Sequence, residues 1–253
     1  MRVCLIQPDI VWGDPQANLA HLDALLAGAE RADLYVLPEM FTTGFATLPD
    51  ATVEHEPSAG LAWMQRKAAE LGAALAGSIA LEIGAKCANR FYFVRPDGSY
   101  ETYDKHHLFG YGGEGERFIV GGRRVVAEYK GVRFLLAVCY DLRFPVWLRS
   151  RDDYDAILLV ASWPDVRRLA WDTLTRARAI ENACYVAAVN RVGTDPACQY
   201  DGGTAWIGPY GETLAQAADG REDIVYGELD LQHLADYHAK FPVLADEDAF
   251  ELK

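Results

Sequence analysis

The chain has 253 residues, 51% of them hydrophobic, enough to bury a full core in one large α/β domain spanning residues 1–253. Its 24 Lys and Arg against 37 Asp and Glu leave a net charge of −13, which opposes nucleic acid and anionic membrane surfaces as partners and favours small-molecule chemistry. Five widely scattered cysteines, with no closely spaced pair, suit a reducing cytoplasm and argue against both a disulfide framework and a structural zinc site.

In chain order, "RVCLIQ" reads as a first core strand rather than a signal peptide, because Gln7, Pro8 and Asp9 soon interrupt its apolar run. "DPQANLAHLDALLAGAE" predicts a helix with Asp14 as N-cap, Pro15 in the first turn and a buried stripe of Leu19, Leu22, Leu25, Leu26 and Ala29. "DLYVLPE" predicts a second strand, residues 61–71 a second helix, and "AALAGSIALE" a third strand. Two hairpins follow, one turning at Pro96, Asp97 and Gly98 and one near Lys130 and Gly131. "DAILLVAS" and "CYVAAVN" predict strands on either side of a helix over 167–182. A third hairpin turns around Pro209 and Gly211, and "EDIVYGELDL", a short helix and a polar tail close the chain. No later apolar stretch is long enough to cross a bilayer, and no low-complexity linker marks a domain boundary. This many strands exceed one sheet, so two sheets with helices on their outer faces are expected.

"LAVCYDLRFP" raises the functional question, because Cys139 sits where an apolar strand gives way to polar residues and a proline. A buried cysteine is often only a small hydrophobe. A nucleophilic thiol instead needs a base and a group to hold an oxyanion. Other strand ends offer these: Glu39 in "YVLPEMF", Lys105 in "YDKHHLF", and Glu114 and Glu116 in the glycine-rich "GYGGEGERF". Taken singly, Glu39 reads as a loop cap, Lys105 as a solvated charge and the glycine loop as plain surface. His106 and His107 open a rival Cys-His dyad, with an imidazole as base.

Together, "LPEMFTTGF", "YDKHHLF" and "CYDLRFP" resemble the three catalytic motifs of the nitrilase superfamily of carbon-nitrogen hydrolases, and the likeness covers nearly the whole chain. "ASWP", "WDTLTRARAIENACYVAAVNRVGTD" and "FPVLADEDAF" resemble its omega-amidase branch, which acts on 2-oxoglutaramate and related amides. The resemblance implies a four-layer αββα sandwich, a homodimer formed through helices beside the catalytic strand and the C-terminal segment (about 238–253), and no cofactor or metal. It makes Glu39 the general base, Lys105 the support of the tetrahedral intermediate, Cys139 the nucleophile and Glu114 the second glutamate, while Glu116 falls outside the pattern. The expected reaction is hydrolysis of the terminal amide of a short dicarboxylic acid monoamide through a cysteine thioester. The backbone N–H of Tyr140 is expected to assist at the oxyanion. A nitrilase or carbamoylase, or a catalytically silent scaffold of the same fold, are the alternatives. Phe45 and Trp163 are candidate pocket walls and Arg167 a candidate for an anionic substrate tail; Arg143 is assigned first to a structural pairing with Asp141 and only second to substrate. Lys105 is also expected to favour a thiolate, giving Cys139 alone fast reaction with iodoacetamide. Two departures from the branch stand out: Ser162 where it favours asparagine, and the glycine richness around Glu114, which suggests a mobile loop.

Overall fold

The computed structural model describes residues 1–252. β1 (Arg2–Gln7), α1 (Pro15–Gly28), β2 (Leu34–Val36), α2 (Ala59–Leu71), β3 (Ala74–Ile83), β4 (Lys86–Val94) and β5 (Tyr100–Asp104) form the first half of the chain. A short helix α3 (Glu114–Arg117) leads to β6 (Val126–Tyr129) and β7 (Val132–Val138). After α4 (Pro145–Leu148) come β8 (Ala156–Val160), α5 (Arg168–Asn182) and β9 (Tyr185–Val189). The remaining elements are β10 (Val192–Thr194), β11 (Gln199–Asp201), β12 (Ala205–Ile207), β13 (Thr213–Gln216), β14 (Asp223–Glu228) and α6 (Leu231–Lys240).

Two six-stranded sheets result, ordered β14-β1-β2-β3-β4-β5 and β13-β12-β9-β8-β7-β6. Each has three parallel strands in its middle, β1, β2 and β3 in one and β7, β8 and β9 in the other, with antiparallel strands outside them. The parallel strands are apolar throughout because both of their faces are covered. Along β1, Val3 and Leu5 enter the core between the sheets, whereas Cys4 and Ile6 face the helical layer with Leu22, Leu26, Trp63 and Met64. Phe93 and Phe134 stack across the two sheets at 5.9 Å. The architecture is the expected α/β sandwich, with α1 and α2 outside the first sheet and α5 outside the second.

Local chemistry accounts for the element ends. Asp14 caps α1 through Ala17 N at 3.0 Å, and Ser58 caps α2 through Leu61 N at 3.0 Å. The β6–β7 turn places Lys130 and Gly131 at φ of 50° and 78°, as a tight hairpin of two residues requires. In α1 the stripe is narrower than predicted: Leu22 and Leu26 are buried, whereas Leu19 and Leu25 are only partly covered. β4 starts at Lys86, three residues before the predicted hairpin, and the small β10–β11 hairpin was not anticipated. The glycine-rich segment is not an open loop: it forms a 3₁₀ turn (Gly110–Gly112) followed by α3.

Candidate active site

The C-terminal ends of parallel strands from both sheets meet at one place. Glu39 follows β2, Cys139 follows β7 and Ser162 follows β8, while Lys105 follows the antiparallel β5 and Asn89 lies within β4. The bond from Glu39 N to Ala161 O, 3.4 Å long, ties the two sheets together there.

Glu39, Lys105 and Glu114 are all 0% exposed. Lys105 Nζ donates to Glu39 Oε1 at 2.9 Å and to Glu114 Oε2 and Oε1 at 2.8 and 3.1 Å. Asn89 Nδ2 donates to the same two carboxylates, at 2.7 Å to Glu39 and 3.2 Å to Glu114. Ser162 N donates to Glu39 Oε2 at 2.8 Å, and Phe109 N to Glu114 Oε2 at 2.6 Å. Burial alone would pull the Lys105 ammonium down, but Glu114 and Glu39 more than reverse it, and the amine stays charged. Burial pushes the Glu114 carboxyl up, Lys105 opposes this and the charge of Glu39 adds to it, leaving a net rise.

Cys139 has φ of 47°, in the left-handed region that a residue with a β-carbon adopts only under constraint. The constraint is Asp141, buried two residues on. Its Oδ2 accepts from Val138 N at 3.0 Å and from the Tyr103 hydroxyl at 2.7 Å, and its Oδ1 accepts from His107 N at 3.0 Å. The strand-to-turn transition is thereby fixed with the thiol side of Cys139 facing the pocket. Burial first, then the nearby Glu39 carboxylate, push the Cys139 thiol well above the usual thiol range, against the weaker pull of Lys105. The direction is opposite to the thiolate expectation: Lys105 is held by two carboxylates, and burial together with Glu39 outweighs its pull on the thiol. Selective alkylation therefore does not follow, because Cys198, which is only partly buried, lines the same pocket.

The histidines have other partners. His107 Nδ1 meets Asp141 Oδ1 at 2.8 Å and its ring lies flat on Phe144 at 3.7 Å. His106 Nδ1 meets the Gly121 carbonyl, and its ring stacks on Trp147 at 3.8 Å. Neither lines the pocket over Cys139. Glu116 is exposed on α3.

The pocket is small and is walled by Phe45, Phe109, Tyr140, Arg143, Trp163 and Arg167. Phe45 lies under the Lys105 ammonium, 5.4 Å from ring centre to Nζ. All four residues proposed from sequence for substrate contact thus surround Cys139. The pairing of Arg143 with Asp141 is overturned, since Asp141 is saturated by Tyr103, Val138 and His107. The Arg143 guanidinium instead lies 5.1 Å over the Trp163 ring, and Arg167 lies 5.1 Å over Phe109. Neither has an ion-pair partner among the described residues. A larger open cleft around His55, Glu82 and Arg117 contains none of the four catalytic candidates.

Sequence reasoning missed Asn89, the clamp made by Tyr103 and Asp141, and the pocket walls Cys198 and Tyr200. Asn89 carried no signal, since it reads only as the first residue of the predicted hairpin, beside Arg90. The departure at Ser162 has a simple account: its backbone N–H reaches Glu39, which any residue supplies, while its hydroxyl only meets the Glu39 carbonyl at 3.2 Å.

The sequence pattern described as "Carbon-nitrogen hydrolase" matches residues 2–239. The chain is similar to the omega-amidase YafV of Escherichia coli (strain K12), at 44% identity over 253 residues, covering 100% of this chain and 98% of that protein. It is 34% identical over 252 residues to the 2-oxoglutaramate amidase of Bacillus subtilis (strain 168), covering 96% of each. Among solved structures it resembles XC1258 of Xanthomonas campestris, a CN-hydrolase superfamily protein with an arsenic adduct in its active site. That likeness has TM-score 0.96 and 41% identity and covers 100% of this chain and 99% of that one.

Proposed function

We propose, from the premise that this chain belongs to the carbon-nitrogen hydrolase family, that it hydrolyses the terminal amide of a short dicarboxylic acid monoamide, of the 2-oxoglutaramate or succinamate type, to a carboxylate and ammonia. The observation that carries this reading is the buried cluster in which Lys105 joins Glu39 and Glu114 beside the Cys139 thiol. Amide hydrolysis is also what its omega-amidase relatives are named for.

Glu39 takes the thiol proton as Sγ attacks the amide carbon. The oxyanion is held by Lys105 and by the backbone N–H of Tyr140. Glu39 then protonates the leaving nitrogen, ammonia departs, and a thioester remains. Water, deprotonated by Glu39 and positioned by Glu114, attacks the thioester, and the tetrahedral intermediate collapses to the acid and the restored thiol. One carboxyl group thus serves as base and acid in turn. No cofactor enters this scheme.

The substrate is an anion and the protein carries a net charge of −13, so long-range steering opposes binding and local cations must reverse it. Arg167, half-buried and with no acid partner among the described residues, is assigned to the distal carboxylate, with Arg143 beside it. Phe45 and Trp163 form the apolar sides. Arg167→Met is expected to raise KM for succinamate by roughly ten- to a hundredfold and for a neutral short amide by much less. The test of the function is ammonia release from a panel of amides, nitriles and carbamoyl compounds. If neutral amides or nitriles are the better substrates, the omega-amidase reading fails in favour of a nitrilase or carbamoylase. No turnover of any of them would favour a silent scaffold.

We also assign the protein to the cytoplasm, as one domain acting as a homodimer. No helix among the described residues is long and apolar enough to cross a membrane. Support for the dimer comes from Ile180, Tyr210, Leu214 and Phe241, which are 50–56% exposed on the outer side of the second sheet around α5 and α6. The segment after 238 continues this surface, while Arg151 also holds Phe250 of its own chain by stacking at 4.7 Å. Sedimentation at micromolar concentration is expected to give about twice the chain's 28.0 kDa; a single monomeric species would refute the dimer.

A further inference from the structure

Asn89 is 1% exposed, and its side chain stands between two carboxylates. Its Nδ2 group must face them, because the opposite orientation would set its carbonyl oxygen against their oxygens. That choice leaves Oδ1 buried with no partner, an arrangement native proteins rarely keep without a reason.

The reason is legible in the lone pairs of Glu39. A carboxylate offers about four acceptor positions, two on each oxygen. Oε1 is filled by Lys105 Nζ at 2.9 Å and Asn89 Nδ2 at 2.7 Å. Oε2 receives Ser162 N at 2.8 Å, and no other donor to it is found among the described residues. We propose that Asn89 is a positioning residue which, with Lys105, saturates Oε1 of Glu39 and so leaves a single open lone pair, on Oε2, as the atom that receives the Cys139 proton. Its second N–H, on Glu114 Oε1 at 3.2 Å, locks the two carboxylates to each other and stops either from rotating about Lys105. The unpaired Oδ1 is then the by-product of using both amide hydrogens. The inference deepens the assignment of Glu39 as the base and rests on it.

Asn89→Leu keeps the volume and removes both donors; Asn89→Asp keeps the shape and replaces them with acceptors. The groups that titrate around this point are Glu39, Glu114, Lys105 and Cys139. With the donors gone, the charged carboxylate pair is less stabilised and protonates at higher pH, so activity is lost earlier as pH falls. For Asn89→Leu we expect kcat to fall about a hundredfold, KM to stay within threefold, and the acid limb of kcat/KM to move up by about one pH unit. The rate of Cys139 alkylation by iodoacetamide, followed by peptide mapping, should show the same displaced acid limb. That measurement needs no substrate, so it tests Asn89 even if the amidase reading fails. Asn89→Asp should lose at least as much activity as Asn89→Leu, and it carries the test if the leucine variant does not fold. A folded variant of either kind with kcat within threefold of the parent and both acid limbs unmoved would show that Asn89 only fills the core, and would overturn the proposal.

Discussion

Replacing Cys139 by alanine is expected to lower turnover of succinamate by about ten-thousandfold or more, because the proposed covalent step is deleted and not merely slowed. The thiol contributes little packing: Cys139 opens the turn after β7, which is held by the Asp141 bonds to Val138, Tyr103 and His107 and not by sulfur. The thermal midpoint of Cys139→Ala is therefore expected within a few degrees of the parent. Cys139→Ser is expected to be nearly as inactive, since a serine hydroxyl is a poorer nucleophile than the thiol in the same buried place. Activity and calorimetry on the two variants check this, and more than about one per cent of parental turnover in the alanine variant would remove Cys139 from the mechanism.

The second large effect separates the carboxylate base from the imidazole alternative. Glu39→Gln keeps the shape of the side chain and removes its basicity, so a loss of roughly a thousandfold in kcat is expected. The substitution leaves Lys105 facing one carboxylate, Glu114, where it now faces two. That removes the excess negative charge from the buried cluster, so the variant should fold. The glutamine amide must also meet three donors from Lys105, Asn89 and Ser162 with a single carbonyl oxygen, which adds a local mismatch to the lost base. In His106→Asn and His107→Asn, turnover is expected to stay within about tenfold, because the rings stack on Trp147 and Phe144 and bond to Gly121 and Asp141. The opposite ranking, with Glu39→Gln active and a histidine variant dead, would establish the dyad.

These two experiments also divide what was legible in the chain from what was not. Element order could be read locally: β1, α1, α2, α5 and the Lys130–Gly131 turn lie within a few residues of their predicted bounds, because apolar periodicity, the Asp14 cap and glycine turns act over short distances. β10 and β11, of three residues each, offer no such period and exist because they pair with each other beside the pocket. The early start of β4 was missed for a related reason, since its first residues, Lys86 to Ala88, are held by pairing with Leu81 to Ile83 across the turn.

The sequence by itself determined which groups were available: a thiol, a lysine and two glutamates at strand ends, in an order that resembles one hydrolase superfamily. Only the tertiary structure decided how those groups are partnered and charged. Asp141 turned to His107 and Tyr103 instead of Arg143, which left Arg143 over Trp163 with no acid partner among the described residues. Lys105 was taken up by two carboxylates, and burial with Glu39 outweighs its pull on the Cys139 thiol. Asn89 became the bridge between them. Each outcome depends on contacts between residues far apart in the chain, such as Glu39 and Ser162, 123 positions away, and on water being excluded where the two sheets meet. Neither distance nor desolvation has a local signature, because both arise only when one sheet is packed against the other.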